Sequence, residues 1–131
     1  QLNSGSLTVD GTGSVTLNQG DAWNVETTLT NGSLTLDNIT QGANASLNAT
    51  GGSLNLNGTD LTISTDSQIA GDVVASLTGG SLTVAQDGSV TINTGDTWNT
   101  ATKLTGGTLE INNVNQGTNA SLNATGGGSC C

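Results

Sequence analysis

Side chains that could do chemistry are scarce in this chain, and most of them are carboxylates. The chain has ten Asp and Glu residues, one Lys and no His. A glycosidase needs two carboxyl groups at a defined separation across the scissile bond. The two glutamates, Glu26 and Glu110, are replaced by Ala101 and Thr35 at the matching places of an internal repeat described below. We therefore expect no enzyme active site and no cofactor.

The same acids raise the question of a calcium site. The EF-hand loop and the glycine-rich nonapeptide of calcium-binding solenoids have fixed acidic positions, and neither pattern occurs here. Asp10, Asp60, Asp66 and Asp87 lie in turn-like sequences, where aspartate side chains commonly accept hydrogen bonds from the local backbone. We expect structural roles for these aspartates and no metal site.

Both cysteines stand at the end of the chain, directly after the sequence Gly-Gly-Gly-Ser at 126–129. Adjacent cysteines do not form a metal site by themselves. The repeated sequence stops at residue 127, so residues 128–131 are interpreted as an added tail for coupling or immobilisation, with a native cysteine terminus as the alternative. Without that tail the chain has no cysteine, and no disulfide holds it together. A disulfide-linked dimer through Cys130 or Cys131 is a further candidate state.

Two tryptophans occur in the same local sequence, Gly-Asp-x-Trp-Asn, at 20–24 and 95–99. A tryptophan can be a stacking platform for sugars, an anchor for a protein partner, or a large residue that fills a corner of a fold. Because the two copies place it at the same point of the repeat, we predict that Trp23 and Trp98 are structural.

The sequence that must position these residues contains a long internal repeat. Residues 5–52 and 80–127 align without a gap at an offset of 75, and 31 of the 48 paired positions are identical. A shorter phrase of Gly, Ser or Thr, Leu, a polar residue and an aliphatic residue recurs inside them, at 5–9, 32–36, 52–56, 80–84 and 107–111. The steps between its first glycines are unequal, and the step from Gly32 to Gly52 is the shortest. Such self-similarity is typical of stacked units, and we interpret the 75-residue unit as three coils and the chain as about five.

Apolar and polar residues alternate along most of the chain, as at Leu7 and Val9, with Gly and Asx residues between the alternating pairs. This pattern predicts short strands with one buried face. A β-sandwich is the alternative, but its core is about 10 Å thick and needs large side chains, whereas this chain has two aromatic residues. We predict an all-β fold, a single-stranded β-solenoid over residues 1–127. One inward row is expected to hold Leu7, Leu34, Leu54, Leu82 and Leu109.

The polar positions of the recurring phrase should point outward and form two parallel hydroxyl-rich rows. Their members are Ser6, Thr8, Ser33, Thr35, Ser53, Ser81, Thr83 and Thr108, and Asn55 and Glu110 interrupt them. A regular hydroxyl array is a candidate contact surface for a glycan or for ice. The many asparagines form Asn-x-Ser/Thr triplets that weakly indicate glycosylation, and ladders of asparagines between coils are the other explanation.

The charge balance excludes several partners. With a net charge of −9 and a single cation, Lys103, the chain is unsuited to nucleic acid or to an anionic membrane surface. Its apolar runs are also too short to cross a bilayer. No signal peptide is visible at Gln1, which indicates an internal piece of a longer protein.

With its Gly-Gly-Ser/Thr-Leu-polar-aliphatic phrases and Gly-Asp-x-Trp-Asn corners, the chain resembles the passenger regions of bacterial autotransporters and filamentous-haemagglutinin-like exoproteins. The resemblance covers nearly all of residues 2–127. It implies secretion to a bacterial cell surface, a right-handed β-helical stalk, and a role in adhesion or surface structure, with adjoining coils of the parent chain as partners. Surface-layer proteins, which share the Thr/Asn/Gly-rich composition, and an ice- or glycan-binding solenoid are the alternatives.

Overall fold

The computed structural model describes residues 2–130 of the chain, with side-chain surroundings up to residue 128. Within this range it contains strands and turns but no helix. The strands are β1 (Ser6–Val9), β2 (Ser14–Leu17), β3 (Glu26–Leu29), β4 (Ser33–Asp37), β5 (Ser46–Ala49), β6 (Ser53–Asn57), β7 (Asp60–Ile63), β8 (Gln68–Ile69), β9 (Val74–Val84), β10 (Ser89–Ile92), β11 (Thr97–Leu104), β12 (Thr108–Ile111), β13 (Asn115–Gln116), β14 (Ser121–Ala124) and β15 (Gly128–Cys130).

Each turn of the chain runs along three faces, and every strand pairs in parallel with strands one turn away. Face 1 holds β1, β3, β5, β8, β10, β12 and β15 in that order. Face 2 holds β2, β4, β6, the first parts of β9 and β11, and β13. Face 3 holds β7, the second parts of β9 and β11, and β14. Bridges from Leu2 to Trp23 and from Trp23 to Gln41 extend face 3 towards the N terminus.

The chain is therefore a β-solenoid of about six turns, close to the five predicted from the sequence. Successive turns are nearly equal in length. Paired residues along face 1 are 20, 20, 20, 21 and 19 positions apart, as read from Thr8, Thr28, Asn48, Gln68, Ser89 and Thr108. The handedness of the coil stays a prediction from the resemblance.

The 75-residue repeat does not correspond to a whole number of turns. From Ser6 on face 1 the chain makes three full turns to the level of β8, and it then passes face 2 before it reaches Ser81 on face 3. The repeat thus spans three and two-thirds turns rather than three. A residue of the first copy on face 1 has its counterpart on face 3, and a residue on face 2 has its counterpart on face 1.

Because the second copy is rotated by one face relative to the first, the predicted row of leucines is divided among the three faces. Leu34 and Leu54 are direct neighbours on face 2, whereas Leu7 and Leu109 lie on face 1 and Leu82 lies on face 3. The expectation of a single row was wrong. All five do point inward, because four of them are 0% exposed and Leu7 is half-buried.

One apolar core runs along the axis of the solenoid. It consists of Leu, Ile, Val and Ala side chains in columns, such as Leu36, Leu56 and Leu77 on face 2, together with Trp23 and Trp98. Fully burying one such side chain stabilises a fold by roughly 1.5–3 kcal/mol. From β1 to β12, the alternation in the sequence therefore predicted correctly which side of the strand faces the core.

Glycines allow successive turns to approach closely at one corner. Gly32 has a φ of 78° and Gly107 a φ of 72°, in the left-handed region that disfavours side chains. A Cβ on Gly32 would collide with the carbonyl oxygen of Gly13, and a Cβ on Gly107 would collide with that of Gly88. These glycines open the recurring phrase because the corner in front of the strand has no room for a side chain.

Candidate functional site

The predicted contact residues all lie on the outer surface, but they do not form two rows. Each of them is exposed or half-buried. Ser6, Thr8 and Thr108 lie on face 1, Ser33, Thr35 and Ser53 lie on face 2, and Ser81 and Thr83 lie on face 3. The prediction of two parallel rows is corrected by these registers, because equivalent phrases of the two copies occupy different faces.

The structure instead brings together rows that the phrase does not reveal. One outward row on face 2 runs across six strands and is uncharged throughout; its members are Thr16, Thr35, Asn55, Ser76, Thr97 and Asn115. An equally uncharged row on face 1 consists of Thr8, Thr28, Asn48, Gln68, Ser89 and Thr108. The signal that could have found them is the recurrence of a polar strand position once per turn, as between Asn48 and Gln68.

Several of these side chains bind one another between turns. Asn55 Nδ2 donates to Thr35 Oγ1 at 3.4 Å, and Gln68 Nε2 donates to Asn48 Oδ1 at 3.0 Å. The second bond supports the structural explanation for Asn48, which belongs to an Asn-x-Ser/Thr triplet. Both bonds also occupy part of the hydrogen-bonding capacity that the rows could offer to a ligand.

Trp23 is held inside the solenoid by a specific hydrogen bond. Its indole Nε1 donates to Thr27 Oγ1 at 2.9 Å, and this hydroxyl in turn donates to the carbonyl oxygen of Val25 at 3.2 Å. The Trp23 side chain is 1% exposed. A buried indole usually needs such an acceptor, and the burial leaves no ring face for a sugar.

The second copy repeats this arrangement on another face. Trp98 Nε1 donates to Thr102 Oγ1 at 2.8 Å, and Thr102 Oγ1 donates to the carbonyl oxygen of Thr100 at 3.3 Å. Trp98 is 6% exposed. The prediction that both tryptophans are structural is confirmed.

The next turn packs closely against each tryptophan. In the first copy, Gly42 N donates to the carbonyl oxygen of Trp23 at 2.8 Å, and Asn44 N donates to Asn24 Oδ1 at 2.8 Å. A Cβ on Gly42 would collide with the Asn24 side chain. The segments 20–24 and 41–46 therefore form one corner module that spans two turns.

The corner module recurs in the second copy between segments 95–99 and 116–121. Gly117 N donates to the carbonyl oxygen of Trp98 at 2.7 Å, and Asn119 N donates to Asn99 Oδ1 at 2.8 Å. The best-preserved sequences of the repeat, Gly-Asp-x-Trp-Asn and Gln-Gly-x-Asn-Ala-Ser, thus contact each other. Their repetition has a structural cause and does not indicate a binding site.

The aspartates of the corner modules, Asp21 and Asp96, accept hydrogen bonds from the backbone of the tight local turn just before each tryptophan. Asp21 Oδ2 accepts a hydrogen bond from Asn18 N at 2.8 Å. Asp96 Oδ2 accepts one from Asn93 N at 2.9 Å, and its Oδ1 accepts a second from Ala75 N at 3.0 Å. Asp96 is 3% exposed. Backbone N–H groups are therefore the partners of these carboxylates.

Two surface hollows lie beside the strands. One, of about 330 Å³, is lined by Ile39, Thr40, Gln41, Gly42, Asp60 and Thr62. The other, of about 480 Å³, is lined by Asn48, Thr65, Asp66, Ser67, Gln68, Asp87 and Ser89. Among the residues that the structure describes, no group of three or more His, Cys, Asp or Glu could hold a metal ion. Over the same residues, none of the secondary structure is a helix that could cross a membrane.

The C-terminal tail is only partly described. The backbone of β15 pairs with β12, while Cys131 and the side chain of Cys130 lie outside the described part. The interpretation of 128–131 as an added tail and the disulfide-linked dimer stay predictions. In comparisons with protein-family models, with curated proteins and with solved structures, nothing matches this chain.

Proposed function

We propose that this chain is a structural or adhesive segment of a large secreted bacterial surface protein, in which stacked coils form a stiff stalk. The observation that carries the proposal is the continuity of the stack. Each turn pairs with the next through parallel ladders, and one apolar core runs through all turns. A fold of this kind grows in one dimension as units are added.

The contacts between turns give such a stalk its stiffness. The ladder hydrogen bonds join successive turns, and bending the rod would stretch those on the outer side of the bend. Side-chain ladders such as Asn112 Nδ2 to Asn93 Oδ1, at 3.0 Å, add further links between turns. With about 4.8 Å between paired strands, six turns extend about 29 Å.

The surface suits a segment that separates other parts of a protein. Its outer rows are mostly uncharged Ser, Thr, Asn and Gln side chains, and the net charge of −9 keeps chains apart in solution. The secretion and the surface location in this proposal rest on the resemblance to autotransporter and haemagglutinin-like passengers.

A chain with one extra unit tests the stalk. Residues 5–79 are inserted a second time between residues 79 and 80, which adds one further unit in the register of the repeat. Small-angle X-ray scattering should show a rod about 18 Å longer, since three and two-thirds turns rise by about 4.8 Å each, with an unchanged cross-section. A matched insert of the same composition in scrambled order should not lengthen the rod. A wider particle in place of a longer one would contradict the stalk.

The surface location needs a separate test. An antibody against the chain should label intact cells of the producing bacterium as strongly as permeabilised ones. Labelling that appears only after permeabilisation would refute secretion without touching the solenoid.

A second candidate is a glycan- or ice-binding face, and the uncharged row on face 2 favours it. Glycan arrays and thermal hysteresis measurements on the chain should detect such binding directly. Thr35→Lys and Ser76→Lys, both on face 2, should then abolish the signal, whereas Thr83→Lys on face 3 should preserve it. Blank results in both assays leave the stalk as the function of this segment.

A further inference from the structure

Two Asn-Gly sequences lie at corners of the solenoid, Asn31-Gly32 and Asn57-Gly58, and each is followed by a residue with a hydroxyl group. Both asparagines are exposed, and the two glycines have φ values of 78° and 70°. An asparagine before glycine is prone to lose its amide spontaneously, because glycine has no side chain to shield its backbone nitrogen. The two sites are alike in sequence and exposure, and they differ in their hydrogen bonds.

The Asn57-Gly58 site is tied to neighbouring turns at both of the groups that would react. Asn57 Nδ2 donates to Asp37 Oδ1 at 3.1 Å, and Gly58 N donates to the carbonyl oxygen of Thr78 at 2.8 Å. An attack by Gly58 N on the asparagine side chain would break the second bond, and departure of Nδ2 would break the first. This asparagine therefore reacts only when that part of the stack opens.

The Asn31-Gly32 site is arranged differently. Gly32 N donates to Asn31 Oδ1 at 3.0 Å. This bond places the side-chain carbonyl group of Asn31 next to the backbone nitrogen that would attack it. Within residues 2–128, no other acceptor binds Gly32 N, and none binds Asn31 Nδ2. The attack therefore breaks no contact with another turn.

We propose that Asn31 is a self-modification site, which deamidates in the folded chain while Asn57 keeps its amide. Base removes the proton from Gly32 N, this nitrogen bonds to Asn31 Cγ, and the Cγ–Nδ2 bond breaks. The nitrogen Nδ2 takes up a proton and leaves as ammonia. Water then opens the resulting succinimide at either of its two carbonyl carbons. The product at position 31 is aspartate or isoaspartate, and water is the only other reactant consumed.

The site belongs to the first copy of the repeat. Gly106-Gly107 stands at the matching place of the second copy, so the modification makes the two copies chemically different. Every asparagine outside the two Asn-Gly sequences precedes a residue with a side chain, which hinders the same attack. The proposal does not depend on adhesion or secretion, since it concerns the reaction of the folded chain with water.

The modification changes a tightly packed corner. Ser33 N donates to the carbonyl oxygen of Gly13 at 2.9 Å, so the residues after the site are fixed to the turn before. A Cβ on Gly52, in the turn after, would lie 2.8 Å from the carbonyl carbon of Asn31. Isoaspartate adds a carbon atom to the main chain between these two turns, where there is no space for it. The isoaspartate form should therefore unfold at a lower urea concentration than the original chain.

Ageing of the folded chain in a mildly alkaline buffer, followed by peptide mapping, tests the proposal. Digestion with pepsin at acidic pH separates the two Asn-Gly peptides and adds no deamidation of its own. The peptide with Asn31 should gain the mass that replacement of NH2 by OH produces, and it should divide into an aspartate form and an isoaspartate form. The peptide with Asn57 should keep its mass. Isomerisation at the Asp-Gly sequences leaves the mass unchanged, so the gain identifies asparagine alone.

The chain unfolded in urea at the same pH is the reference. Both peptides should react there at similar rates, because their local sequences match. Asn31→Gln needs a larger ring for the attack and should abolish the mass gain at position 31, whereas Asn57→Gln should leave the reaction of Asn31 unchanged. An Asn31 that keeps its amide in the folded chain, while both sites react in the unfolded chain, would overturn the proposal. Equal losses of Asn31 and Asn57 in the folded chain would overturn it too.

A second measurement tests the effect on packing. Asn31→Asp has the same side chain as the aspartate product, with an unaltered main chain. The aged chain, purified in its isoaspartate form, should unfold at a lower urea concentration than this variant. Equal urea midpoints would show that the corner accommodates the longer main chain and would contradict the predicted loss of stability.

Discussion

Residues 44–52 and 119–127 have the same nine-residue sequence but different environments. Both contain a strand that pairs with the turn before it, β5 with β3 and β14 with β11. A further turn covers β5, whose Leu47 and Ala49 are buried, whereas all four residues of β14 are exposed. In this fold the burial of a side chain is therefore decided by the following turn as much as by the local sequence.

The largest expected difference in stability is between substitutions of Leu47 and Leu122, which occupy the same place in the two nine-residue sequences. Leu47→Ala should lower the free energy of unfolding by roughly 2–5 kcal/mol, because it leaves a cavity between two turns. Leu122→Ala removes a side chain that water already reaches, and it should cost about 1 kcal/mol or less. Urea titrations under monomeric conditions measure both values, and equal losses would show that the terminal coil is as well covered as the inner one.

The sequence predicted the inside and the outside of the strands but not their register. Alternation depends on the two-residue period of a strand, so it assigned Leu34 and Leu54 to the core correctly. The recurring phrase, however, fits any of the three faces. The step from Gly52 to Gly80 corresponds to one and one-third turns, whereas the step from Gly32 to Gly52 corresponds to one turn.

The missing register also explains why the predicted contact residues lie on the outer surface but on three different faces. Alternation identified Thr8, Thr35 and Thr83 as outward residues, and they are exposed or half-buried. The face of each one depends on how many strands precede it, which a repeated phrase does not specify. The recurring phrase therefore did not reveal the continuous rows on faces 1 and 2, although a polar strand position recurs about once per turn, as between Asn48 and Gln68.

The corner aspartates offer a second comparison between the copies. Asp96→Ala should cost about 3 kcal/mol, because it removes a charged acceptor from the buried N–H of Ala75 and from that of Asn93. Asp21→Ala removes one bond, from Asn18 N in an exposed turn, where water replaces the acceptor, and should cost about 1 kcal/mol. Chemical denaturation of the two variants provides the difference. A larger loss in the free energy of unfolding for Asp21→Ala than for Asp96→Ala would contradict the hydrogen bond from Ala75 N to Asp96.

The tryptophan contacts should behave alike in both copies, since turns lie on both sides of each. Thr27→Val and Thr102→Val keep the side-chain shape but remove the acceptor of the indole N–H. Each should cost about 1–2 kcal/mol, and the two values should agree. Thermal unfolding followed by tryptophan fluorescence measures both, and a clear difference would mean that the position in the stack affects even the inner turns.

The smallest effects are expected at outward threonines. Thr8→Ala on face 1 and Thr83→Ala on face 3 should each change the free energy of unfolding by less than about 0.5 kcal/mol. Both side chains lie on the solvent side of their strands, where water can replace whatever the hydroxyl contacts. A loss as large as that of Leu47→Ala would mean that inside and outside are reversed at that strand.

The rotation of one face per 75-residue unit has a mechanical consequence. If a corner module made its side of the rod thicker, its recurrence on the same side would bend a long rod into an arc. Here the module lies on face 3 in the first copy and on face 2 in the second. Three successive units would make eleven turns and place one module on each side, so the small curvatures would cancel. A long series of such units would remain straight and would bend equally easily in every direction.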